Sequence, residues 1–251
     1  MERLIDYFFP LCVSGDFFDC PIMRINVVGI VQARMGSTRL PGKMMLPLHG
    51  VPVVEWVFRR IKRTSLLQDI VFAIPETKEN NILHLHLQKI GATIYRGSEK
   101  DVVERFYFAA KELRATHAVR VCADSPFISG SEIDRLVAFY FESSCDYAYN
   151  HIPKKNCYPN GIGAEIVSFE ILKTIYEEAK SIDHREHVLN FIWAHSDRFK
   201  ILTFDPVDKS LAHPEIKLDI DTKQDYEKLC RMEVSIEMDA HQIVAAAKAR
   251  C

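Results

Sequence analysis

A chain of 251 residues, 48% hydrophobic and 26% charged, can bury an ordinary globular core and has room for one large domain or two small ones. Its formal net charge of −2 argues against general nucleic-acid binding, and no apolar run approaches the ~18–20 residues that a bilayer crossing needs. The seven cysteines are odd in number and form no C-x-x-C pair, which suits reduced thiols in a cytoplasmic protein better than a disulfide framework or a zinc site.

Residues 1–22 are aromatic and apolar, but Glu2, Asp6, Asp16 and Asp19 interrupt them and the basic start of a signal peptide is missing. They read as an extension of unknown role ahead of a main domain over 23–232. Residues 25–31 are β-branched and apolar and predict a buried strand. The segment 32–43, QARMGSTRLPGK, predicts a long loop, and 52–64 predicts a helix through Val53, Val54, Val57, Phe58 and Ile61. The loop carries Arg34, Arg39 and Lys43 around Gly36 and Gly42. Glycine lets backbone N–H groups approach an anion and the basic side chains compensate its charge, so the loop reads as a polyphosphate cradle. It is no Walker A loop, because five residues separate Gly36 from Gly42 and Met44 follows Lys43. Nor does it hold a G-x-G-x-x-G fingerprint. The bland alternative is a solvated basic surface loop.

Residues 69–75 predict a strand ended by Pro75. A helix follows over 79–90, through Ile82, Leu83, Leu85, Leu87 and Ile90, and stops at Gly91. Further strands are expected over 92–95 and 117–122, with helices over 101–113 and 132–141. This rhythm implies a three-layer α/β/α sandwich with a mainly parallel sheet, and ligands beyond the carboxyl ends of its strands. Asp124, at such an end before Ser125 and Pro126, is either a Mg²⁺ ligand or a turn aspartate bonding its own backbone. Its neighbour Cys122 reads as a small buried hydrophobe. Arg96, Ser98 and Arg105 either supply fixed donors to a ligand, or divide into a helix cap (Ser98) and a wet helix face (Arg105).

Over 145–170 the regularity falters. A strand over 145–149 leads into an inserted arm, about 150–168, that returns as a strand over 164–168 and clusters Asn150, Tyr158, Asn160 and Glu165. His184 and His187, three apart within 182–195, could share a helix face, but no further ligand completes a metal site, and a solvent-facing or structural role is expected. After a strand over 199–204, Asp219 and Asp221 stand two apart, so in extended backbone they aim at one point. Two carboxylates aimed together need a cation or proton between them, which suggests a metal; capping of the helix over 224–231 is the alternative. The tail, 233–251, is alanine-rich and expected to be helical.

The stretch QARMGSTRLPGKMMLPLHGVPVVEW resembles the N-terminal signature of sugar cytidylyltransferases, among them the acylneuraminate and 3-deoxy-manno-octulosonate enzymes, and is most similar to the SpsF-like branch of spore coat polysaccharide biosynthesis. RGSEKDVVERF and LDIDTKQDYEKL are similar to later motifs of the same family. The resemblance implies a nucleotide-diphospho-sugar transferase-like fold and a homodimer. It implies transfer of CMP from CTP to a sugar acid, with release of pyrophosphate, for a surface polysaccharide or glycoconjugate. On it, Gln32, Ala33, Arg34, Gly36, Ser37, Arg39, Lys43, Arg96, Ser98 and Arg105 would bind the nucleotide. Asp124 and Asp221, with Asp219, would hold Mg²⁺, and Asn150, Tyr158, Asn160 and Glu165 would meet the sugar. Arg34, Lys43, Asp124 and Asp221 would carry catalysis. SpsF-like sequences carry an aspartate aligned with Gly163, a departure that bears on the acceptor. A glycosyltransferase that consumes a nucleotide-sugar and a non-catalytic nucleotide-sugar binding subunit are the rival readings.

Overall fold

A computed structural model of the chain describes residues 25–249; the expected extension over 1–22 lies outside the described residues. The first strand, β1 (Val27–Gln32), alternates its buried side chains between two cores. Val27 and Val31 join one cluster and Val28 and Ile30 the other, as a central strand covered on both faces must. The loop after it ends in a two-stranded hairpin, β2 (Pro47–Leu48) and β3 (Val51–Pro52), that leads straight into α1 (Val53–Ile61). β4 (Asp69–Pro75) occupies the predicted residues. α2 (Asn81–Lys89) buries only Leu83 and Leu87. Ile82 and Leu85, expected on its inner side, are exposed, because one narrow stripe suffices to cover the sheet edge. There follow β5 (Thr93–Gly97), α3 (Val102–Glu112), β6 (His117–Cys122), α4 (Gly130–Ser143), β7 (Tyr147–Tyr149), β8 (Glu165–Ser168) and α5 (Phe169–Glu178).

The stretch over 182–195 is not one helix but two short ones, α6 (Ile182–Glu186) and α7 (Asn190–Ala194). His187 sits at the break with φ −115°, so it shares no helix face with His184. β9 (Ile201–Thr203), α8 (Lys223–Cys230) and α9 (Ala240–Lys248) complete the order.

Seven strands form one sheet in the order β5-β4-β1-β6-β8-β7-β9. β8 alone runs against its neighbours; every other pair is parallel. Side chains of α1, α2 and α4 pack on one face and those of α3, α5 and α7 on the other. This is the three-layer, mainly parallel α/β sandwich that the alternation predicted. A third cluster joins Val53 and Trp56 of α1 to Phe127, Leu218, Ile220 and the buried side of α9, so the tail is packed against the main body. The arm does not protrude either. Asn150, Tyr158 and Ile162 are fully buried, and the segment lies folded against α4 and the sheet.

The topology sets the site. From β1 the chain winds outward through β4 to β5, then crosses back to β6 on the other side of β1. The carboxyl ends of β1 and β6 therefore open onto a shared crevice, where ligands bind in sheets of this kind. β8 enters the same edge at its first residue, Glu165, opposite Arg120.

Candidate active site

The loop after β1 is held by its own bonds. The amides of Ser37 and Gly42 both donate to the Met35 carbonyl, at 2.9 and 3.1 Å, and the Met35 amide donates to Asn80 Oδ1 at 2.9 Å. Gly42 adopts φ 71°, the left-handed region that glycine enters without strain. With these amides committed, the loop presents mainly charged side chains. Lys43 opens a short 3-10 turn and is 8% exposed. Its ammonium donates to Asp124 Oδ2 and to the Ile220 carbonyl, each at 2.7 Å. Arg39 is exposed and pairs with Asp221 at 2.6 Å, while Arg34 reaches Glu186 of α6 at 3.4 Å. Of the other expected nucleotide contacts on β1 and the loop, Gln32 accepts from Arg120 Nε at 3.3 Å and Ser37 Oγ accepts from the Leu40 amide at 3.3 Å. Ala33 is buried in the core, and Gly36 stands in the loop among these groups.

Residues 216–221 alternate in burial: Ile216, Leu218 and Ile220 point inward. The segment is no full strand, but three bonds hold it extended: Asn160 N to Ile216 O, Leu218 N to Asn160 O, and Ile220 N to Asp124 O. Lys217, Asp219 and Asp221 share the outer side. The Lys217 ammonium lies 3.1 Å from Asp221, 2.9 Å from Asp225 and 3.8 Å from Asp219. Asn160 Nδ2 donates to Asp219 Oδ1 at 2.8 Å. Burial, then the charges of Asp221 and Asp124, push Asp219 up to about 6 against the pull of Lys217. Burial works the same way on Asp221, but Lys217, Arg39 and Lys43 hold it below the usual carboxylate range. Capping of α8 falls to Thr222 and Asp225, which form a reciprocal capping box.

Among the described residues, no three His, Cys, Asp or Glu side chains stand gathered as a ready metal site. Asp124, Asp219 and Asp221 are instead compensated by Lys43, Lys217 and Arg39. In donor chemistry the set still fits a hard divalent cation, which prefers carboxylate oxygens. Burial is the first cause that raises Asp219, with the charges of Asp221 and Asp124 adding to it, and a cation bound there would favour its ionised form.

Beside these carboxylates lies a cavity of about 210 Å³, walled by Arg120, Cys122, Asp124, Asn160, Glu165 and Asp219 together with Ser125 and His151. Arg120 and Cys122, two apart on β6, share the strand face that ends at Asp124. Arg120 forms a buried ion pair with Glu165, whose other oxygen accepts from the Tyr147 hydroxyl. His151 Nε2 lies 3.5 Å from Glu165, and burial lowers its pKa. Burial pushes the Cys122 thiol up to about 12, so it is inert at neutral pH.

Two of the expected sugar contacts stand elsewhere. Tyr158 donates to Glu132 Oε2 at 2.6 Å, and Asn150 is held by the Ala164 amide and the Glu132 carbonyl. Both pin the arm to α4. At Gly163 a Cβ would lie 2.2 Å from Asn150 Oδ1 and 2.3 Å from its backbone oxygen, so no aspartate could occupy this backbone position.

Arg96 and Ser98 close β5. Arg96 Nη2 donates to the Thr77 carbonyl at 3.0 Å and its Nε has no partner. Arg105 is fully buried rather than on a wet face, and Asp101, not Ser98, caps α3. One Arg105 nitrogen donates to the Ser98 carbonyl, while its Nε and Nη2 have no partner. Burial, and then Arg34 nearby, lower the guanidinium to about 10. A larger cleft, about 480 Å³, is lined by Arg59, Lys62 and Arg63 of and after α1. α1 runs back from the carboxyl edge, so this cleft belongs to the opposite end of the sheet.

Sequence reading missed Arg120, His151 and Lys217. The alternation in HAVRVCAD carried a signal for the first, and K-x-D-x-D over 217–221 for the last.

A doubly wound sheet with a basic loop facing strand-end carboxylates at its carboxyl edge defines a nucleotidyltransferase. The chain belongs to the cytidylyltransferase family, whose model matches residues 28–245. It is 32% identical over 223 residues to an uncharacterised protein of Methanocaldococcus jannaschii, covering 88% of this chain and 89% of that one. It is 31% identical to the spore coat polysaccharide biosynthesis protein SpsF of Bacillus subtilis, over 81% and 85% of the two chains. A cytidylyltransferase structure from Leptospira borgpetersenii superposes with a TM-score of 0.82 at 25% identity, covering 90% of this chain and 95% of that one. Family membership decides against the glycosyltransferase reading.

Proposed function

We propose that the chain transfers the cytidylyl group of CTP to a hydroxyl of a sugar acceptor and releases pyrophosphate, in the synthesis of a surface polysaccharide or glycoconjugate. The observation that carries this is the Lys43 ammonium, fixed between the loop, Asp124 and the Ile220 carbonyl at the carboxyl edge of the sheet. In the reaction the acceptor oxygen bonds to the α-phosphorus, the α–β bridging bond breaks, and the hydroxyl loses its proton. The protein has little covalent work to do, so catalysis rests on position and charge.

Lys43, Arg34 and Arg39 neutralise the phosphates and the departing pyrophosphate. The unpartnered nitrogens of Arg105 and Arg96 are fixed donors for the nucleoside end, because buried N–H groups left unbonded gain most from a ligand. Asp124 and Asp221, with Asp219, would hold a divalent cation, Mg²⁺ by expectation, whose charge would offset that of the phosphates. The cavity beyond Asp124 receives the acceptor. A sugar acid is the acceptor class that the resemblance suggests.

The test is pyrophosphate release with Mg²⁺, each of the four nucleoside triphosphates and a panel of acidic, neutral and amino sugars. Release is expected with CTP alone, reduced about 100-fold or more in Lys43→Ala, the scale of a lost charge-assisted contact to the transition state. CTP binding without turnover on any acceptor would assign a nucleotide sensor, and absence of CTP binding would contradict the reading.

A further inference from the structure

We propose that Arg39 couples nucleotide binding to cation binding: its guanidinium serves either Asp221 or the triphosphate, so a divalent cation meets a free Asp221 oxygen only once the phosphates have drawn the arginine away. The proposal rests on the cytidylyl-transfer reading and deepens it.

The two oxygens of Asp221 have partners of unlike permanence. Oδ2 accepts from the Lys217 ammonium at 3.1 Å. Lys217 also donates to Asp225 Oδ2 at 2.9 Å and lies 3.8 Å from Asp219. Asp225 is fixed in turn, because the amides of Asp221 and Thr222 and the Thr222 hydroxyl all donate to that same oxygen. Lys217 therefore stays among the carboxylates, and Oδ2 stays engaged. Oδ1 accepts from Arg39 Nη2 at 2.6 Å. The Arg39 side chain is 62% exposed and stands in the loop after β1, between Gly36 and Gly42. An exposed ion pair of this kind contributes little net free energy, so a stronger partner displaces it.

A guanidinium and a divalent cation cannot share one carboxylate oxygen, since their positive charges repel at contact distance. They can share a triphosphate, which offers several anionic oxygens, and the planar fork of arginine matches two of these at once. Without nucleotide, Arg39 and the cation compete for Asp221. With nucleotide, Arg39 has the better partner and the cation takes the vacated oxygen. The coupling is reciprocal: a cation on Asp221 also frees Arg39 for the phosphates. Arg34 is no party to this exchange, because it pairs with Glu186, at 3.4 Å, and not with one of the three aspartates.

The experiment titrates Mn²⁺ into the nucleotide-free protein and reads free Mn²⁺ by electron paramagnetic resonance. Arg39→Met is expected to bind Mn²⁺ about fivefold more tightly than the wild type, the scale of one exposed ion pair. Arg34→Met removes the same charge from the same loop and is expected to match the wild type. The titrations are then repeated with a non-hydrolysable CTP analogue bound. The analogue should strengthen Mn²⁺ binding in every protein, but by about fivefold less in Arg39→Met, whose Asp221 is already free. Absence of Mn²⁺ binding, equal Mn²⁺ affinity in wild type and Arg39→Met, or an equal rise in both variants overturns the proposal; the equal rise would report loop charge alone. Failure of the CTP analogue to bind, with the Mn²⁺ affinities as expected, contradicts the cytidylyl-transfer reading and leaves the competition at Asp221 standing.

Discussion

An ammonium group as enclosed as that of Lys43 is stable only with its acceptors in place, and here they are a carboxylate and a carbonyl from two separate segments. Lys43→Met keeps the stem and removes the charge. It is expected to cost about 1 kcal/mol of stability, because the buried Ile220 carbonyl loses its donor while Asp124 reaches water, and to weaken CTP binding at least tenfold by calorimetry. Equal CTP affinity in the two proteins would remove Lys43 from the nucleotide site. His117 gives a residue-scale prediction in pH. Burial lowers it from 6.5 to about 4, so as pH falls the unfolded chain takes up the proton first. Stability is therefore full above pH 6.5 and declines between 6.5 and 4, this group contributing at most about 1.4 kcal/mol per pH unit. Urea midpoints between pH 7 and 5 should fall less steeply in His117→Gln than in the wild type; parallel slopes would show that another group sets the dependence.

Which single residues could be read from the sequence follows from how local their signals are. Lys43, Asp124 and Asp221 stand in a glycine-punctuated loop, at a strand end and in a D-x-D pair; position left each with a bland alternative, and the family resemblance supplied the expected roles. Arg120 and Glu165 become a pair only because β8 reverses against β6, which no local pattern encodes. Arg105 was hardest to place. Its helical spacing allowed a wet face, and only the packed α3 shows two of its N–H groups enclosed without partners.

At the scale of elements, Arg60 adds buried hydrogen bonds to the apolar contacts that tie α1 to the chain's far end. Arg60, 2% exposed, donates from Nε to the Ile128 carbonyl at 2.8 Å and from Nη1 to the carbonyls of Ile236 and Met238. Arg60→Met should cost about 3 kcal/mol, since several carbonyls lose their donor. It should also speed hydrogen exchange in α9 more than in β1. Uniform acceleration would mean that the contact is not what seats α9. Gly163→Ala tests the arm. Its Cβ meets the backbone of Asn150, which cannot step aside, and overpacking of this kind costs about 1–3 kcal/mol. An unchanged denaturant midpoint would show that the arm can yield.

The alternation of strand and helix predicted β4 residue for residue, because its apolar run and closing proline are contiguous signals. The α6–α7 break escaped notice, since HREHVLNFIWAH has helical composition throughout. Beside the break, Arg185 pairs with Asp101 and Glu186 with Arg34, partners distant in the sequence that no local pattern announces.

For the whole molecule, six of the seven strands share one direction and deliver their chemistry to one edge. Basic groups come from the loop after β1, a carboxylate from the end of β6, and a lysine with two more carboxylates from the extended segment over 217–221. Among the described residues no helix is long and apolar enough to cross a membrane. The parallel architecture was legible because buried parallel strands are continuous apolar runs bounded by turn residues. The third cluster was not, because it joins α1 to α9 across most of the sequence, and the tail's alanines carry only a faint apolar stripe.

The central claim is nucleophilic attack at the α-phosphorus of CTP, and isotope position tests it most directly. CTP labelled with ³²P at the α- or the γ-phosphate is incubated with enzyme, Mg²⁺ and the acceptor panel, and the products are separated. The account predicts α-label in an acceptor-linked product and γ-label wholly in pyrophosphate. Label from the γ-position on the acceptor, or α-label remaining in free nucleotide with every acceptor, would contradict it.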